Sequence, residues 1–443
     1  MSSVRVVITG LGAVSPLGLT AGDMWDGLCA GRCGIDRITA FDPVGFNCKL
    51  AGQVPEFKIQ SYVPKQLRKS IKLMSRDIKL AIIAADEALR SSGLITKAID
   101  PENINTDPTR ISINLGAGLI SCDLVELGPA VAASTTNGKF DIRKWGKDGL
   151  ELVTPLWLLK YLPNMLACHI GIIHDIQGPS NTITCAESSA QLAISEAAQI
   201  IARGGSDVAL AGGAEAKVNP IVMIRQCLLK RATSKNNDDP AGACRPFDAN
   251  ADGSVFGEAA GMVVLENLQN AEKRDAKIYA EIVGTGQSNN INPEYEHLEP
   301  DGKGLQIAIE KAMADAQIQP DDLDLLIPHG TGIAADDLAE ATAIESALGR
   351  AARKIPVWPT KSMLSNTGAA AGALDVIAAV CAMTDGRIPA AKNCDRKAPG
   401  CNLNIVKQQQ PANIRYVLCC SYTYGGQTAA VVLKKYRTPN KEL

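Results

Sequence analysis

The chain of 443 residues is poor in the features that mark several protein classes. Aromatic residues make up only 4% of it, there are four histidines, and none of its 13 cysteines forms a C-x-x-C pair. No structural zinc site or other metal centre is therefore expected. An odd number of scattered cysteines fits reduced thiols rather than a disulfide framework. Net charge is close to nil, 45 basic residues against 47 acidic, so no global field draws the chain to nucleic acid or to an anionic membrane. The longest apolar runs, such as residues 376–383, fall far short of the roughly 20 that span a bilayer, and no membrane insertion is expected. The opening MSSVRVVITGLGAVSPLG lacks the pattern of a signal peptide, which makes a cytoplasmic location the expectation. No GxxxxGK[ST] occurs, and Gly204-Gly205 and Gly212-Gly213 do not form a dinucleotide fingerprint, so nothing supports a nucleotide cofactor.

What is present is an alternation of β-branched apolar runs with amphipathic stretches, the pattern of an α/β protein with a buried sheet. Residues 4–9 read as a strand and 77–90 as a helix, with Ile78, Leu80, Ala81, Ile83, Ala84 and Leu89 at helical spacing. A strand over 110–115 follows, then a helix over 186–203 closed by Gly204-Gly205 and a strand over 207–211. The second half echoes this order: strand 279–283, helix 304–316, strand 324–327, strand 356–358, an Ala-rich helix over 368–384, and closing strands 416–421 and 429–434. Two such runs, offset by about half the chain, predict a duplicated fold. We divide it into residues 1–270, carrying Cys185, and 271–443, carrying His329, Lys361 and Asn366.

Cys185 stands between a strand and a helix in GPSNTITCAESSAQLA, where a helix N-terminus stabilises a thiolate and the turn's N–H groups suit an oxyanion. Spacing alone favours an inert buried thiol. His329, in IPHGTGIAADD, ends a strand on a Gly-rich loop, suited to acid, base or donor work or simply to capping nearby backbone. Lys361 and Asn366 belong to TKSMLSNTGAAAGALD; Asn366 offers either a helix cap or an amide N–H to a carbonyl oxygen.

Taken together and in order, RVVITGLGAVSPLG, GPSNTITCAESSAQLA, VALAGGAEA, CRPFDANADGSVFGEAAGMVVLE, HGTG, TKSMLSNTGAAAGA and SYTYGGQT resemble the elongating β-ketoacyl-ACP synthases. The resemblance runs nearly end to end. It implies a thiolase-like fold with duplicated halves layered α-β-α-β-α, and an acyltransferase carrying out the decarboxylating Claisen condensation of a Cys-bound acyl group with malonyl-ACP. It places Cys185 on the nucleophile, His329 on the first active-site histidine and Lys361 on the motif lysine. Glu340 and Asp337 fall on the acidic partners of a structural ion pair. The backbone N–H groups of Cys185 and Tyr424 fall on the oxyanion hole, and Thr331, Tyr422 and Gly425 on substrate contacts. Acyl groups would arrive on the phosphopantetheine of acyl carrier protein (ACP), with no cofactor of the enzyme's own. Lys65, Arg68, Lys69 and Arg231 fall on carrier docking positions, and a homodimer or a heterodimer is implied.

The chain also departs from the family. Asn366 stands where elongating members have a second histidine, giving a Cys-His-Asn set. Ile333 replaces a threonine, Tyr424 replaces a gating phenylalanine, and Glu187 follows Cys185 by two where small residues are usual. A carboxylate there raises the thiol pKa unless it turns away. These changes point to a specialised acyl substrate in lipid or polyketide synthesis. They also keep open a non-elongating acyl-transfer or partner subunit.

Overall fold

A computed structural model describes residues 4–292 and 297–437. Its centre is an eleven-stranded mixed sheet. In chain order the strands are β1 (Val6–Val14), β2 (Ile111–Ala117), β3 (Ser180–Ile183), β4 (Val208–Ala216), β5 (Glu258–Asn267), β6 (Ala280–Asn289), β7 (Leu325–Ile327), β8 (Pro356–Val357), β9 (Asn404–Ile405), β10 (Tyr416–Tyr422) and β11 (Gln427–Lys435). They lie side by side as β9-β8-β7-β10-β11-β6-β1-β5-β4-β2-β3.

The expected duplication is visible in the pairing. In the first half β1–β5 and β5–β4 are antiparallel, while β4–β2 and β2–β3 are parallel. The second half repeats this in β6–β11, β11–β10, β10–β7 and β7–β8, with β9 added outside. Both leading strands carry an irregularity at the same step, Ile8/Gly10 in β1 and Ile282/Gly284 in β6. The halves join where β1 and β6 pair antiparallel, Val6 opposite Ile282.

Helices complete the layers. On one outer face lie α1 (Arg76–Ser91) and α2 (Met165–His174), whose apolar residues share a core with β2, β4 and β5. Between the half-sheets lie α3 (Ser189–Ala202) and α6 (Ala371–Asp385), in a core drawn from both halves. On the far face are α4 (Lys303–Asp315) and α5 (Ala334–Leu348). This is the layered α/β arrangement expected. The apolar stretch over Gly368–Asp385 has the length and composition to cross a membrane, but it is mostly buried inside the molecule. The sequence reading passed over β5 and β9, and left α2 and α5 unassigned.

Close helix-on-strand contact depends on glycine. A Cβ on Gly12 would lie 2.0 Å from the Ala84 carbonyl oxygen, and one on Gly286 would lie 1.9 Å from that of Ala308. These are matching places in the two halves, and a methyl group fits neither. Gly286→Ala is expected to lower the unfolding free energy by about 3 kcal/mol in urea denaturation. Gly128→Ala, in helix Leu124–Ala133 with open space around it, should be neutral or slightly stabilising in the same assay.

Candidate active site

The site forms where the turns leading into α3 and α6 meet the loop after β7. Residues Ala186–Ser188 make a single 3-10 turn before α3, and Gly368–Ala370 make the matching turn before α6. These short turns pack on each other.

His329 is 1% exposed. Its backbone N–H donates to Glu340 Oε1 at 2.7 Å and the N–H of Gly330 donates to Oε2 at 2.8 Å, so Glu340 clamps the loop. The ring meets Tyr422 edge-on, 4.6 Å between centroids. Burial first, then the charge of Lys361, hold the imidazole well below its usual pKa, so it is neutral. Asp337 accepts from the N–H groups of Phe247, at 2.8 Å, and Thr331, also at 2.8 Å.

Lys361 is fully buried and pairs with Asp375 at 3.0 Å, while the Thr360 hydroxyl donates to the other carboxylate oxygen at 2.6 Å. The expected structural pair is thereby corrected. Asp375 is the partner of Lys361, and Glu340 and Asp337 instead brace the backbone of the His329 loop. Asn366 accepts from the N–H of Gly368 at 3.1 Å, which turns its Nδ2 group the other way.

The turn that carries Cys185 also carries a buried charge. The Cys185 thiol makes no hydrogen bond among the described residues, and burial alone pushes its pKa up. Among the described residues no charged group acts on it to favour a thiolate. Its N–H, assigned to an oxyanion hole, donates to Ser189 Oγ at 2.8 Å. After Cys185 the chain turns through Ala186, held at φ 42° in a region L-residues rarely occupy. The group from this turn that acts electrostatically on His329 is Glu187, 2% exposed. Burial disfavours its charge, but the cations Lys217 and Arg231 outweigh that and hold the carboxyl at about 2. Lys217 Nζ stands 3.2 Å from Glu187 Oε1 and 3.6 Å from Glu215 Oε1, with all three side chains 3% exposed or less. Glu187 thus neither perturbs Cys185 nor turns to solvent.

Other expected residues divide. The Tyr424 N–H has no hydrogen-bond partner among the described residues, so it stays available to an oxyanion. Its ring helps line a cavity of about 350 Å³ beside Leu119, Thr184, Ala186 and Lys217. Gly425 sits half-buried in the same turn. Thr331 is not free for a substrate, because its hydroxyl donates to Asp337 at 3.2 Å and accepts from the Ile333 N–H at 3.1 Å. Tyr422, 1% exposed, packs its ring edge-on to His329, and its buried hydroxyl has no hydrogen-bond partner among the described residues. Lys65, Arg68 and Lys69 are exposed on the 3-10 segment Lys65–Leu73. Arg231 is not on that surface. It is 3% exposed, bound to Asp336 at 2.8 Å and stacked 4.5 Å over the Tyr424 ring. Among the described residues no group of three or more His, Cys, Asp or Glu side chains is placed to hold a metal.

Sequence reasoning missed Lys217, Asp375, Asp336 and Ser189. A signal existed for Lys217 alone: a charge in an otherwise apolar strand end, two residues after Glu215, predicts a buried pair. The helix proper starts at Ser189, which puts Glu187 closer than Cys185 to its N-terminus.

Comparison with known proteins fits this architecture. The model of the beta-ketoacyl synthase N-terminal domain matches residues 3–271, and that of the C-terminal domain matches residues 279–395. The chain is 34% identical over 440 residues to 3-oxoacyl-[acyl-carrier-protein] synthase 2 of Vibrio cholerae serotype O1, covering 98% of this chain and 100% of that one. It is 33% identical to the enzyme of the same name from Staphylococcus aureus, covering 98% and 99%. Among solved structures, a beta-ketoacyl synthase from Burkholderia phymatum superposes with a TM-score of 0.85 at 27% identity, over 98% of this chain and 100% of that one. The ishigamide ketosynthase/chain length factor gives 0.84 at 27%, with the same coverage. A type II polyketide acyl-carrier protein in complex with its ketosynthase, bound to the hexaketide, gives 0.82 at 25%, again over 98% and 100%.

The buried carboxyl of Glu340 supplies a pH test. Burial raises it from 4.5 to about 8, so the folded protein binds this proton more tightly than the unfolded chain. Its contribution to stability is present below 4.5 and is lost as pH rises toward about 8. Urea unfolding at several pH values should show the difference between wild type and Glu340→Gln moving in favour of the variant over that interval. A constant difference would contradict this assignment.

Proposed function

Because the chain belongs to the β-ketoacyl synthase family, we propose that it is an acyltransferase of 3-oxoacyl-ACP synthesis, in fatty-acid or specialised lipid and polyketide formation. The observation that carries this reading is the buried set His329, Asn366 and Lys361 on a scaffold related over its full length to 3-oxoacyl-ACP synthases. A malonyl thioester loses CO₂ when its carbon–carbon bond breaks and the electron pair moves onto the thioester oxygen. Asn366 Nδ2 and a neutral His329 ring are hydrogen-bond donors suited to that oxygen, and such donors act strongly in a site without water. The enolate carbon then attacks the acyl carbonyl, with the Tyr424 N–H as an oxyanion donor. In this reading Cys185 carries the acyl group.

A second reading has one specific observation in its favour: the charged group of this turn that acts on His329 is the Glu187 carboxylate, itself held by Lys217 at 3.2 Å. A carboxylate locked to Lys217 is no acyl acceptor, and the thiol has neither base nor cation beside it. The chain then holds or passes acyl groups next to a condensing partner. A dimer suits both readings. The sheet ends in β3, whose outer edge pairs with no strand among the described residues. The segment around it exposes Leu119, Val125, Phe140, Ile142, Leu156 and Ile172. ACP would dock on the basic face of Lys65, Arg68 and Lys69, deliver acyl groups on its own phosphopantetheine, and leave the enzyme without need of another cofactor. We place this work in the cytoplasm.

Intact-mass spectrometry of the protein given acyl-ACP and then malonyl-ACP separates the two readings. A mass shift that disappears in Cys185→Ala, followed by β-ketoacyl-ACP, supports the condensing enzyme. No adduct, together with product only when a second ketosynthase is added, supports the partner subunit. If Asn366→His raises malonyl-ACP decarboxylation, the native amide sets that rate.

A further inference from the structure

Among the buried polar atoms at the centre without a hydrogen-bond partner in the described residues are Glu187 Oε2, His329 Nδ1 and Asn366 Nδ2, with the hydroxyls of Tyr422 and Thr367 nearby in packing or sequence. The residues of the first three are 2%, 1% and 1% exposed. Folded proteins leave few buried polar atoms unpaired, and a group of them inside one site points to a ligand that completes them. They belong to elements already in contact, since the turn holding Glu187 packs on the one that follows Asn366. Each is fixed by a neighbour on its other side. Lys217 holds Glu187 Oε1 at 3.2 Å, and the Gly368 N–H holds Asn366 Oδ1 at 3.1 Å.

The donor and acceptor pattern is specific. Asn366 Nδ2 is a donor only, and ionised Glu187 is an acceptor only, while the neutral His329 ring donates in one of its tautomers. The missing ligand must therefore present an acceptor and, close by, an O–H or N–H. The thioester carbonyl that the family reaction brings is the acceptor. A saturated acyl chain has no donor to offer and would bury Glu187 Oε2 unpaired. A malonyl carboxylate would meet Glu187 as a like charge. The first carbon of the chain that carries a hydroxyl while leaving the carbon next to the thioester unsubstituted is the third.

We propose that this centre reads the third carbon of an acyl thioester, taking chains with an O–H there, either a 3-hydroxyacyl group or the enol of a 3-oxoacyl group. Glu187 is the specificity-determining residue and Lys217 its positioning residue. The inference rests on the family reading above, because that reading supplies the thioester. It makes the site a holder of chains that have already been condensed, rather than of the saturated starter.

The test measures dissociation constants of the full chain for octanoyl-pantetheine, 3-hydroxyoctanoyl-pantetheine and 3-oxooctanoyl-pantetheine by calorimetry. The expected result is tighter binding of an oxygenated compound by about tenfold or more, the equivalent of one charge-assisted hydrogen bond. A tighter 3-hydroxy compound assigns the alcohol, and a tighter 3-oxo compound assigns the enol. Single changes at Glu187 or Lys217 leave one buried charge unpaired, so the diagnostic variant is the double Glu187→Leu, Lys217→Met, which removes the pair at similar volume. It is expected to bind the compounds alike. Equal affinities in the wild type, or a preference that persists in the double variant, would overturn the inference while leaving the family reading intact. If none of the three binds, both fall.

Discussion

The approach of α6 to the strands and to α3, with no side chain between, is the constraint on which the rest of the structure depends. A Cβ on Gly213 would lie 2.4 Å from the Ala369 carbonyl oxygen, one on Gly261 2.9 Å from the Ala373 Cβ, and one on Gly372 2.7 Å from Gln191 Cγ. Such contacts exist only because each glycine lacks the atom that would prevent them. They bring the N-terminal turns of α3 and α6 together, so residues about 180 apart in sequence share a few ångströms of space. Duplication supplies the geometry: each half contributes the same turn, and the two turns face each other where the half-sheets join.

A site buried this deeply must settle its charges internally, and it does so in pairs. Lys361 is matched by Asp375, Lys217 is shared by Glu187 and Glu215, and Arg231 is matched by Asp336. Breaking any of these by removing one partner leaves an uncompensated buried charge, which costs about 3–5 kcal/mol. The acids without a cation, Glu340 and Asp337, are satisfied by backbone N–H groups, and burial keeps them easy to protonate, at about 8 and about 6 respectively. The loop carrying His329 is therefore held by hydrogen bonds rather than by salt bridges. That keeps charge away from the ring and leaves Lys361 as the main cation acting on it.

Much of this was legible in the sequence. Helical spacing of Ile78, Ala81 and Leu89 marked α1 to within a residue at either end, since one face of it is buried along its whole length. The repeated order of elements predicted the duplication, and the ordered motifs placed His329, Asn366 and Lys361 together. What failed was local direction. Cys185 and Glu187 lie two apart in one turn, and a motif cannot say how their side chains are directed when Ala186, at φ 42°, sits between. The same limit explains Arg231, read as a docking residue because it falls on a docking position of the family, yet buried and paired with Asp336 from another element. Strand β5 escaped notice because all but the last of its residues are buried and its polar residues, Glu258, Glu266 and Asn267, stand only at its two ends, so no alternation marks it.

The replacement of a histidine by Asn366 looks like a loss of chemistry, but the electrostatics argue otherwise. Burial and the charge of Lys361 already keep His329 from taking a proton, and a second imidazole in the same enclosure would face the same cation and the same desolvation. It would donate one N–H and titrate nowhere near neutrality. Asn366 donates the same N–H without any dependence on tautomer, and its oxygen is secured by Gly368. The change that alters the site is therefore Glu187 rather than Asn366. A fixed negative charge held by Lys217 decides which acyl groups can sit beside two neutral donors, whatever step those donors go on to assist.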